Sequence, residues 1–270
     1  MKGMKDNQQA RTTSFGSEVQ SDHGFIQFIL GKVLPGRAGR MLNRLKKYLK
    51  RYDRAAFSEL GTLNNQRERE RIVKNLLRDF QPAAIVETGT YLGAGTKFFL
   101  GATQSCPILS CEIDPDYFAF CRRRFRNEPR ISLFKCDSAT FLRQLSFERN
   151  ANLAFYLDAH WYDHLPLRDE VSFIVSRYPN ALILVDDFAV PHDPGYGFDD
   201  YGIGRRLDAE YLAPLSDRIL IFYPTVLSEE ETGARRGYCF VCLPASRAHE
   251  VLSAHRELAA ARSVAGTHAH

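Results

Sequence analysis

Short apolar runs alternate with amphipathic stretches along residues 82–243. The runs predict seven strands, at 83–87, 108–113, 131–136, 153–158, 181–186, 218–223 and 238–243. Apolar residues three and four apart predict helices between them, at 94–103, 115–125, 138–145, 165–177 and 205–212. Near-continuous apolar strands that alternate with helices are typical of a parallel sheet covered on both faces. Because a polar loop separates the last two strands, we expect the final strand to run antiparallel.

This pattern divides the chain into four parts. Residues 1–22 are polar and predict a disordered tail, whereas residues 23–80 have helical spacing and predict a helical N-terminal extension. Residues 81–246 are predicted to form one α/β domain, Rossmann-like, with a seven-stranded mostly parallel sheet and helices on both faces. Residues 247–270 are predicted to form a C-terminal helix, over 247–262, and a tail.

Composition points to a soluble globular protein in a reducing compartment. The chain is 44% hydrophobic and 25% charged, and it has no apolar run near the ~20 residues of a membrane-spanning helix. The first residues lack the pattern of a secretory signal, so we expect a cytoplasmic protein. The six cysteines lie in or beside apolar runs, which favours buried thiols. A structural role is also favoured for the C-x-x-C pair Cys239 and Cys242, because it falls within a predicted strand.

Positive charge is concentrated before the α/β domain. The net charge is +4, and residues 32–54 hold nine lysines and arginines against the single acid Asp53. Such a segment can attract anionic lipid, nucleic acid or an acidic partner. No recognised nucleic-acid module accompanies it, so we expect no nucleic-acid partner. A solvated helical face, peripheral membrane contact through the basic helix and a homo-oligomer interface stay open as alternatives.

Carboxylates mark the ends of the first five predicted strands. They are Glu87, Glu112, Asp137, Asp158 and the pair Asp186 and Asp187. In an open sheet of this class, ligands bind beyond the carboxyl ends of the strands. The sequence therefore predicts the site at this edge.

The first two strand ends carry the features of a cofactor site. Gly89 and Gly93 permit a tight turn before a helix, whose first amides are free donors. The spacing is not G-x-G-x-x-G, so a cofactor without a pyrophosphate is favoured. Glu112, at the end of the next strand, can accept hydrogen bonds from ribose hydroxyls. Asp137 can contact adenine, cap the helix that begins at Ser138, or do both.

Three short segments resemble the class I S-adenosylmethionine-dependent methyltransferases: ETGTYLG at 87–93, CEIDP at 111–115 and CDS at 136–138. The resemblance covers residues 80–243. It implies that Glu87, Gly89 and Gly93 cradle the methionine part of S-adenosylmethionine. It also implies that Glu112 holds the ribose and that Asp137 contacts adenine.

Three aspartates after the fourth and fifth strands predict a metal site. Asp158, Asp186 and Asp187 would repel one another unless a cation or protons compensate, and their oxygens suit Mg²⁺, Mn²⁺ or Ca²⁺. The arrangement resembles the metal-dependent O-methyltransferases, and among them the sugar enzymes similar to macrocin O-methyltransferase. It implies that the three aspartates hold a divalent metal, expected to be Mg²⁺, with Asp158 also beside the cofactor. The implied acceptor is a small-molecule hydroxyl, on a sugar or a glycosylated metabolite.

His160 is predicted to be the general base, since it falls where that branch carries a second acid and a histidine can take a proton near neutral pH. Asp163 is the next candidate, followed by His164. The long loop from 188 to 204 is predicted to cover the acceptor, with contacts from Tyr196, Phe198, Asp199, Asp200 and Tyr201. Two alternatives remain: a metal-independent methyltransferase of the same fold, and a non-catalytic scaffold that docks on a membrane or partner.

Overall fold

The structure, a computed structural model, describes residues 61–161 and 164–261. The predicted tail (1–22), most of the helical extension (23–80) and the basic segment (32–54) lie outside the described residues. So do Asp163 and residues 262–270.

The described chain forms an α/β sandwich around one sheet. Its strands are β1 (Ala84–Thr88), β2 (Ile108–Cys111), β3 (Ile131–Phe134), β4 (Leu153–Leu157), β5 (Leu182–Val185), β6 (Leu220–Pro224), β7 (Cys239–Cys242) and β8 (Leu258–Ala260). Its α-helices are α1 (Arg67–Phe80), α2 (Ala94–Ala102), α3 (Pro115–Arg124), α4 (Ser138–Gln144), α5 (Leu167–Arg177) and α6 (Arg247–Ala254). Single 3₁₀ turns lie at Thr62–Asn65, Ala213–Leu215 and Ser228–Glu230.

The strand order is β3-β2-β1-β4-β5-β7-β6-β8. Strands β1 to β5 all run parallel to one another, and β7 runs antiparallel to both of its neighbours, β5 and β6. The predicted Rossmann-like fold and the antiparallel orientation of β7 are confirmed. The sheet also has an eighth strand, beyond the seven predicted.

Two predicted helices differ from the structure. The C-terminal helix ends at Ala254 rather than 262, because the chain turns extended at His255 and β8 then pairs with the otherwise open edge of β6. Residues 205–212 form turns rather than a helix. Their backbone groups pair across the chain instead of along a helix: the Leu207 amide donates to Asp199, and the Leu207 carbonyl accepts from Ala189.

Alternating strand residues build a core on each face of the sheet. In β4, Phe155 packs with α4 and α5 on one face, whereas Tyr156 packs with α1, α2 and α6 on the other. Helices α1 and α6 therefore share a core with the strands. The domain boundaries at 80 and 246 stay predictions.

No helix among the described residues is long and apolar enough to cross a membrane. All six cysteines are free thiols and five of them are buried, including Cys239 and Cys242 within β7. The structural interpretation of that pair agrees with its place in the core.

The strand register brings the predicted site residues to one edge. Thr88, the last residue of β1, pairs with Cys111 of β2 and Leu157 of β4, and Leu157 pairs with Val185 of β5. The residues that follow these pairs therefore leave the sheet side by side, and they include Glu112, Asp158 and Asp186.

Candidate active site

The turn after β1 lies directly against the end of β4. Gly89 has a φ of +86°, and a Cβ atom there would lie 2.4 Å from the carbonyl oxygen of Asp158. Gly93, the N-cap residue just before α2, has a φ of +77°, and a Cβ atom there would meet the ring of Phe125 at 2.5 Å. Both positions require glycine, because the backbone conformation and the close approach each disfavour a side chain.

Glu87, near the end of β1, holds the elements on either side of this turn together. Its buried carboxylate accepts hydrogen bonds from the Ser110 hydroxyl, at 2.6 Å, and from the Thr96 hydroxyl. Burial raises the pKa of Glu87 to about 7, despite these two bonds. Glu87 thereby ties β1 to β2 and to α2. Its predicted contact with the cofactor stays a prediction.

Glu112 stands at the rim of the same turn. One carboxylate oxygen accepts from the Tyr91 amide and the other from the Asp114 amide, both at 2.7 Å. The two bonds fix the carboxylate beside the glycine turn. Next to it, the apolar side chain of Ile113 is 63% exposed and borders the rim.

Asp137 caps α4. Its side chain accepts from the Thr140 amide and hydroxyl, each at 2.8 Å, and these bonds lower its pKa. The capping interpretation of Asp137 is therefore observed, while its contact with adenine stays a prediction.

His160 faces three carboxylates beyond β4 and β5. Its Nε2 atom lies 3.9 Å from Oδ1 of Asp158, 4.0 Å from Oδ2 of Asp187 and 3.8 Å from Oδ2 of Asp199. The ring is almost completely buried, and among the described residues Nε2 has no hydrogen-bond partner. Burial lowers the pKa of His160, against the pull of Asp199 and Asp186, so the imidazole is neutral near pH 7.

Asp158, His160 and Asp187 fit a cation. Each offers one ligand atom, and these atoms lie within 4.8 Å of one another. Partial burial raises the pKa of Asp158 well above its usual value, and the charges of Asp186 and Asp187 add to the shift. A divalent metal ion could bind both this nitrogen and the carboxylate oxygens, and it would give the buried nitrogen the partner that it lacks.

Arg236 links this cluster to the long loop after β5. Its Nε donates to Oδ1 of Asp187 at 2.5 Å, and its Nη2 donates to Asp199. Burial and the charge of Asp186 raise the pKa of Asp187 to about 7, although Arg236 opposes the shift. Asp187 also has a φ of +51°, a strained conformation for a residue with a side chain.

Asp186 has different neighbours from the other predicted metal ligands. Its Oδ1 accepts from Nη1 of Arg69 at 2.7 Å, and its Oδ2 accepts from the Tyr156 hydroxyl. Burial is the largest influence and opposes ionisation of Asp186, but Arg69, the Tyr156 hydroxyl and the Asp187 amide together outweigh it, so the pKa of Asp186 is lowered. The structure thus brings Asp158, His160 and Asp187 together. Asp187 is paired with Arg236 through Oδ1 but keeps Oδ2 towards His160, whereas Asp186 is buried against Arg69.

The loop after β5 is free of helix and lies against the acid cluster. The Asp199 amide donates to the Asp187 carbonyl at 2.9 Å, and the Gly237 amide donates to the Gly197 carbonyl at 2.7 Å. Tyr196, predicted to contact the acceptor, is instead part of the core, because its ring is buried and its hydroxyl donates to the Val226 carbonyl. His164 is exposed and pairs through its backbone with Trp161.

Two arginines of the site were not predicted. Arg69 lies in a run of charged residues at the start of α1, but it is three and four positions before Ile72 and Val73 and so shares their buried face. That register is the signal that could have identified it. Arg236 lies in an irregular loop and has no comparable signal.

Solved structures of O-methyltransferases have the same fold. The O-methyltransferase of Bacillus cereus, in complex with S-adenosylhomocysteine, is 13% identical, with a TM-score of 0.52 over 82% of this chain and 97% of that one. The S-adenosylhomocysteine-bound methyltransferase PaMTH1 of Podospora anserina is 18% identical, with a TM-score of 0.51 over 87% and 99%. The S-adenosylmethionine complex of TomG, an O-methyltransferase of Streptomyces achromogenes involved in tomaymycin synthesis, is 13% identical, with a TM-score of 0.51 over 84% and 99%.

The sequence matches no protein-family model and no curated protein. At these identities, the likeness shows the fold. The resemblance to class I S-adenosylmethionine-dependent methyltransferases is confirmed at that level, and the branch similar to macrocin O-methyltransferase stays a prediction.

Proposed function

We propose that this chain is an S-adenosylmethionine-dependent O-methyltransferase that methylates a hydroxyl of a small molecule with the help of a divalent cation. One observation carries the proposal: the glycine turn and the acid cluster meet. Gly89 approaches the backbone of Asp158 so closely that a Cβ atom would overlap its carbonyl oxygen. A cofactor at the turn and an acceptor at the cluster would therefore be neighbours, as transfer between them requires.

The residues at the turn suit a nucleoside cofactor that carries no phosphate. Glu112 presents a fixed carboxylate for the ribose hydroxyls, and the exposed Ile113 offers an apolar surface to a base. Gly89 and Gly93 let the backbone approach the methionine part, and the first amides of α2 are donors for its carboxylate. Asp137 is proposed to contact the adenine amino group in addition to capping α4.

Asp158, His160 and Asp187 are the residues that would hold the cation. S-adenosylmethionine supplies the methyl group, and the bound cation would lower the pKa of the acceptor hydroxyl. We assign His160 to the cation rather than to the proton, because its buried, unpartnered nitrogen faces three carboxylates and lies within 4.8 Å of the ligand atoms of Asp158 and Asp187. This departs from the sequence-based prediction that His160 is the base, and we propose Asp163, the next candidate, for that role.

The proposed acceptor is polyhydroxylated, with a sugar or a glycosylated metabolite as the expected class. Asp199 of the loop after β5 lies beside His160 and accepts from the Tyr201 hydroxyl, so these two residues bring hydrogen-bonding groups to the acid cluster. Asp200 is paired with Arg206, and its contact with the acceptor stays a prediction. Polar groups of this kind, fixed at the mouth of a site, can orient hydroxyls.

Calorimetry tests the cofactor part. Titration with S-adenosylmethionine should give one binding site, and Glu112→Ala should weaken binding by at least about tenfold, the equivalent of one charge-assisted hydrogen bond. Glu148→Ala, an exposed acid before β4, is the matched control and should bind normally. If the unaltered protein binds no S-adenosylmethionine, the methyltransferase proposal is wrong.

The cation part is tested separately. His160→Ala should bind S-adenosylmethionine normally but lose Mn²⁺ binding and turnover. A variant that keeps Mn²⁺ affinity and loses only turnover would assign His160 to the proton instead. Turnover that is insensitive to chelators would favour a metal-independent enzyme of the same fold.

A further inference from the structure

The carboxylate of Asp186 is surrounded by four donors. Its Oδ1 accepts from Nη1 of Arg69 at 2.7 Å, from the Asp187 amide at 2.7 Å and from the Asn64 side chain at 3.4 Å. Its Oδ2 accepts from the Tyr156 hydroxyl. Each carboxylate oxygen has about two acceptor positions, so Oδ1 is fully used and Oδ2 keeps one, and the whole side chain is only 4% exposed.

Asp158 and Asp187 differ from Asp186 in exposure and in partners. Their side chains are 35% and 22% exposed, against 4% for Asp186. Among the described residues, the Asp158 carboxylate has the Tyr156 hydroxyl as its hydrogen-bonding neighbour, at 3.2 Å, but the one hydrogen of that hydroxyl goes to Asp186 in the shorter contact. Asp187 pairs with Arg236 through Oδ1, and its Oδ2 lies 4.0 Å from Nε2 of His160. These two carboxylates can reach a cation from solvent, whereas Asp186 lies behind them.

Arg69 is held in place from several sides. Its side chain is completely buried and its guanidinium stacks on the Tyr238 ring, 4.7 Å from the centroid. The carboxylate of Glu231 accepts from the backbone amides of Glu68 and Arg69, at 3.1 and 2.8 Å, which fixes the first turn of α1. The guanidinium contacts Asp186 through Nη1, while its Nε and Nη2 are buried and have no hydrogen-bond partner among the described residues.

The segment just before α1, which carries the Asn64 side chain to Asp186, has an unusual backbone conformation. Leu63, Asn64 and Asn65 all have positive φ angles, of 45°, 63° and 60°. Gly233 packs on this segment so closely that a Cβ atom would lie 2.2 Å from the Asn64 carbonyl oxygen. Strained backbone of this kind persists where the surroundings impose it, often at functional sites.

We propose that Arg69 is a positioning residue that engages Asp186 as its own counter-ion, so that Asp158, His160 and Asp187 bind the divalent cation without Asp186. This inference rests on the proposed cation site. It departs from the ligand set implied by the resemblance, in which Asp186 is one of three metal-binding aspartates.

The decisive variant is Arg69→Met combined with Asp186→Asn, which removes both charges and keeps similar shapes. Removing both partners of a buried pair is tolerated far better than removing one. We expect this double variant to bind one Mn²⁺ with a Kd within about threefold of that of the unaltered protein. This is a smaller change than the tenfold change in Kd that corresponds to about 1.4 kcal/mol of binding free energy. Asp187→Asn should weaken Mn²⁺ binding by at least about 100-fold. Loss of a residue that only hydrogen-bonds to a metal ligand weakens metal binding by about 10- to 100-fold, so loss of a ligand should reach or exceed the upper value.

The role of Arg69 is tested by the single variants, at a temperature well below unfolding and at pH 8. Arg69→Met leaves Asp186 without its counter-ion, so Mn²⁺ should bind more tightly and its electron paramagnetic resonance spectrum should change. Arg69→Lys should restore both towards the original values. Arg71→Met is the matched control, because Arg71 is a half-exposed arginine of the same helix that pairs with Glu68 and Glu257.

The outcomes separate the two proposals. A double variant that retains S-adenosylmethionine binding but loses Mn²⁺ would make Asp186 a ligand and overturn the inference, while the proposed function would stand. Unchanged Mn²⁺ affinity and spectrum in Arg69→Met would overturn the positioning role. If the unaltered protein binds no Mn²⁺, the cation site itself is wrong, and the inference falls with it.

Discussion

Gly89→Ala is the substitution that most directly tests the contact between the glycine turn and the acid cluster. Two effects act together at this position. The φ of +86° is unfavourable for any residue with a side chain, at about 1–2 kcal/mol. The new Cβ would also lie 2.4 Å from the Asp158 carbonyl oxygen and 2.8 Å from its carbon, so the backbone has to move.

Overpacking of this kind costs about 1–3 kcal/mol, so the expected loss of stability is about 2–5 kcal/mol in total. For a chain of this size that corresponds to a fall in Tm of roughly 4–20 °C. Because the displaced atoms belong to Asp158, the affinity for Mn²⁺ should fall together with that for S-adenosylmethionine.

Two glycine variants separate the effects. Gly204→Ala has a comparable φ of +68° with no atom within 4 Å of its Cβ, so it measures the strain alone. Gly101→Ala, inside α2 with no atom within 4 Å, should stabilise the protein by about 0.5–1 kcal/mol. Urea denaturation of the three variants gives the comparison. If Gly89→Ala loses no more stability than Gly204→Ala, the close contact with Asp158 is refuted.

Three further predictions concern the buried acid Glu170 of α5, the cation site and Asp137. Burial raises the pKa of Glu170 to about 7 in the folded protein, so the folded state favours the protonated side chain. The resulting stabilisation is complete below the pKa of glutamate in the unfolded chain and is lost as the pH rises through about 7. Glu170→Gln should therefore stabilise the protein by up to about 3 kcal/mol more at pH 8 than at pH 4, and equal changes in urea denaturation at both would contradict this. Mn²⁺ affinity should rise between pH 6 and 8, because Asp187, with a pKa of about 7, and Asp158, whose pKa is also raised, must lose their protons to bind the cation; fluorescence of Trp161, the only tryptophan, can follow it, and a flat profile would argue against these two aspartates as ligands. Asp137→Asn should keep the cap of α4 and change stability by less than about 0.5 kcal/mol while weakening S-adenosylmethionine binding; unchanged affinity in calorimetry would leave Asp137 with the cap alone.

The strands could be predicted because short, near-continuous apolar runs between amphipathic segments are typical of buried strands and fit few other structures in a chain of this composition. The failed helix at 205–212 shows the limit of that reasoning. Leu207 and Tyr211 are four positions apart, a spacing compatible with a helix, yet the backbone at Leu207 pairs with residues 189 and 199. Spacing along the chain carries no record of such pairing.

The site could be predicted as far as it depended on strand ends. The carboxyl edge of the sheet necessarily collects Glu112, Asp158 and Asp186, whichever way their side chains turn. What the sequence could not supply was the partner of each carboxylate. Asp186 meets Arg69 across 117 residues of chain, and Asp187 meets Arg236 across 49. Contacts of that range decide which acids remain available to a ligand.

The spread of these partners along the chain has a consequence for folding. Arg69 comes from the start of the described chain, His160 from its middle and Arg236 from near its end. During synthesis, the site therefore stays incomplete until the strand after Arg236 has emerged and joined the sheet between β5 and β6. Recovery of Mn²⁺ binding on refolding would mark this last step of assembly, and we expect it to follow the recovery of helical structure, which depends mainly on local contacts.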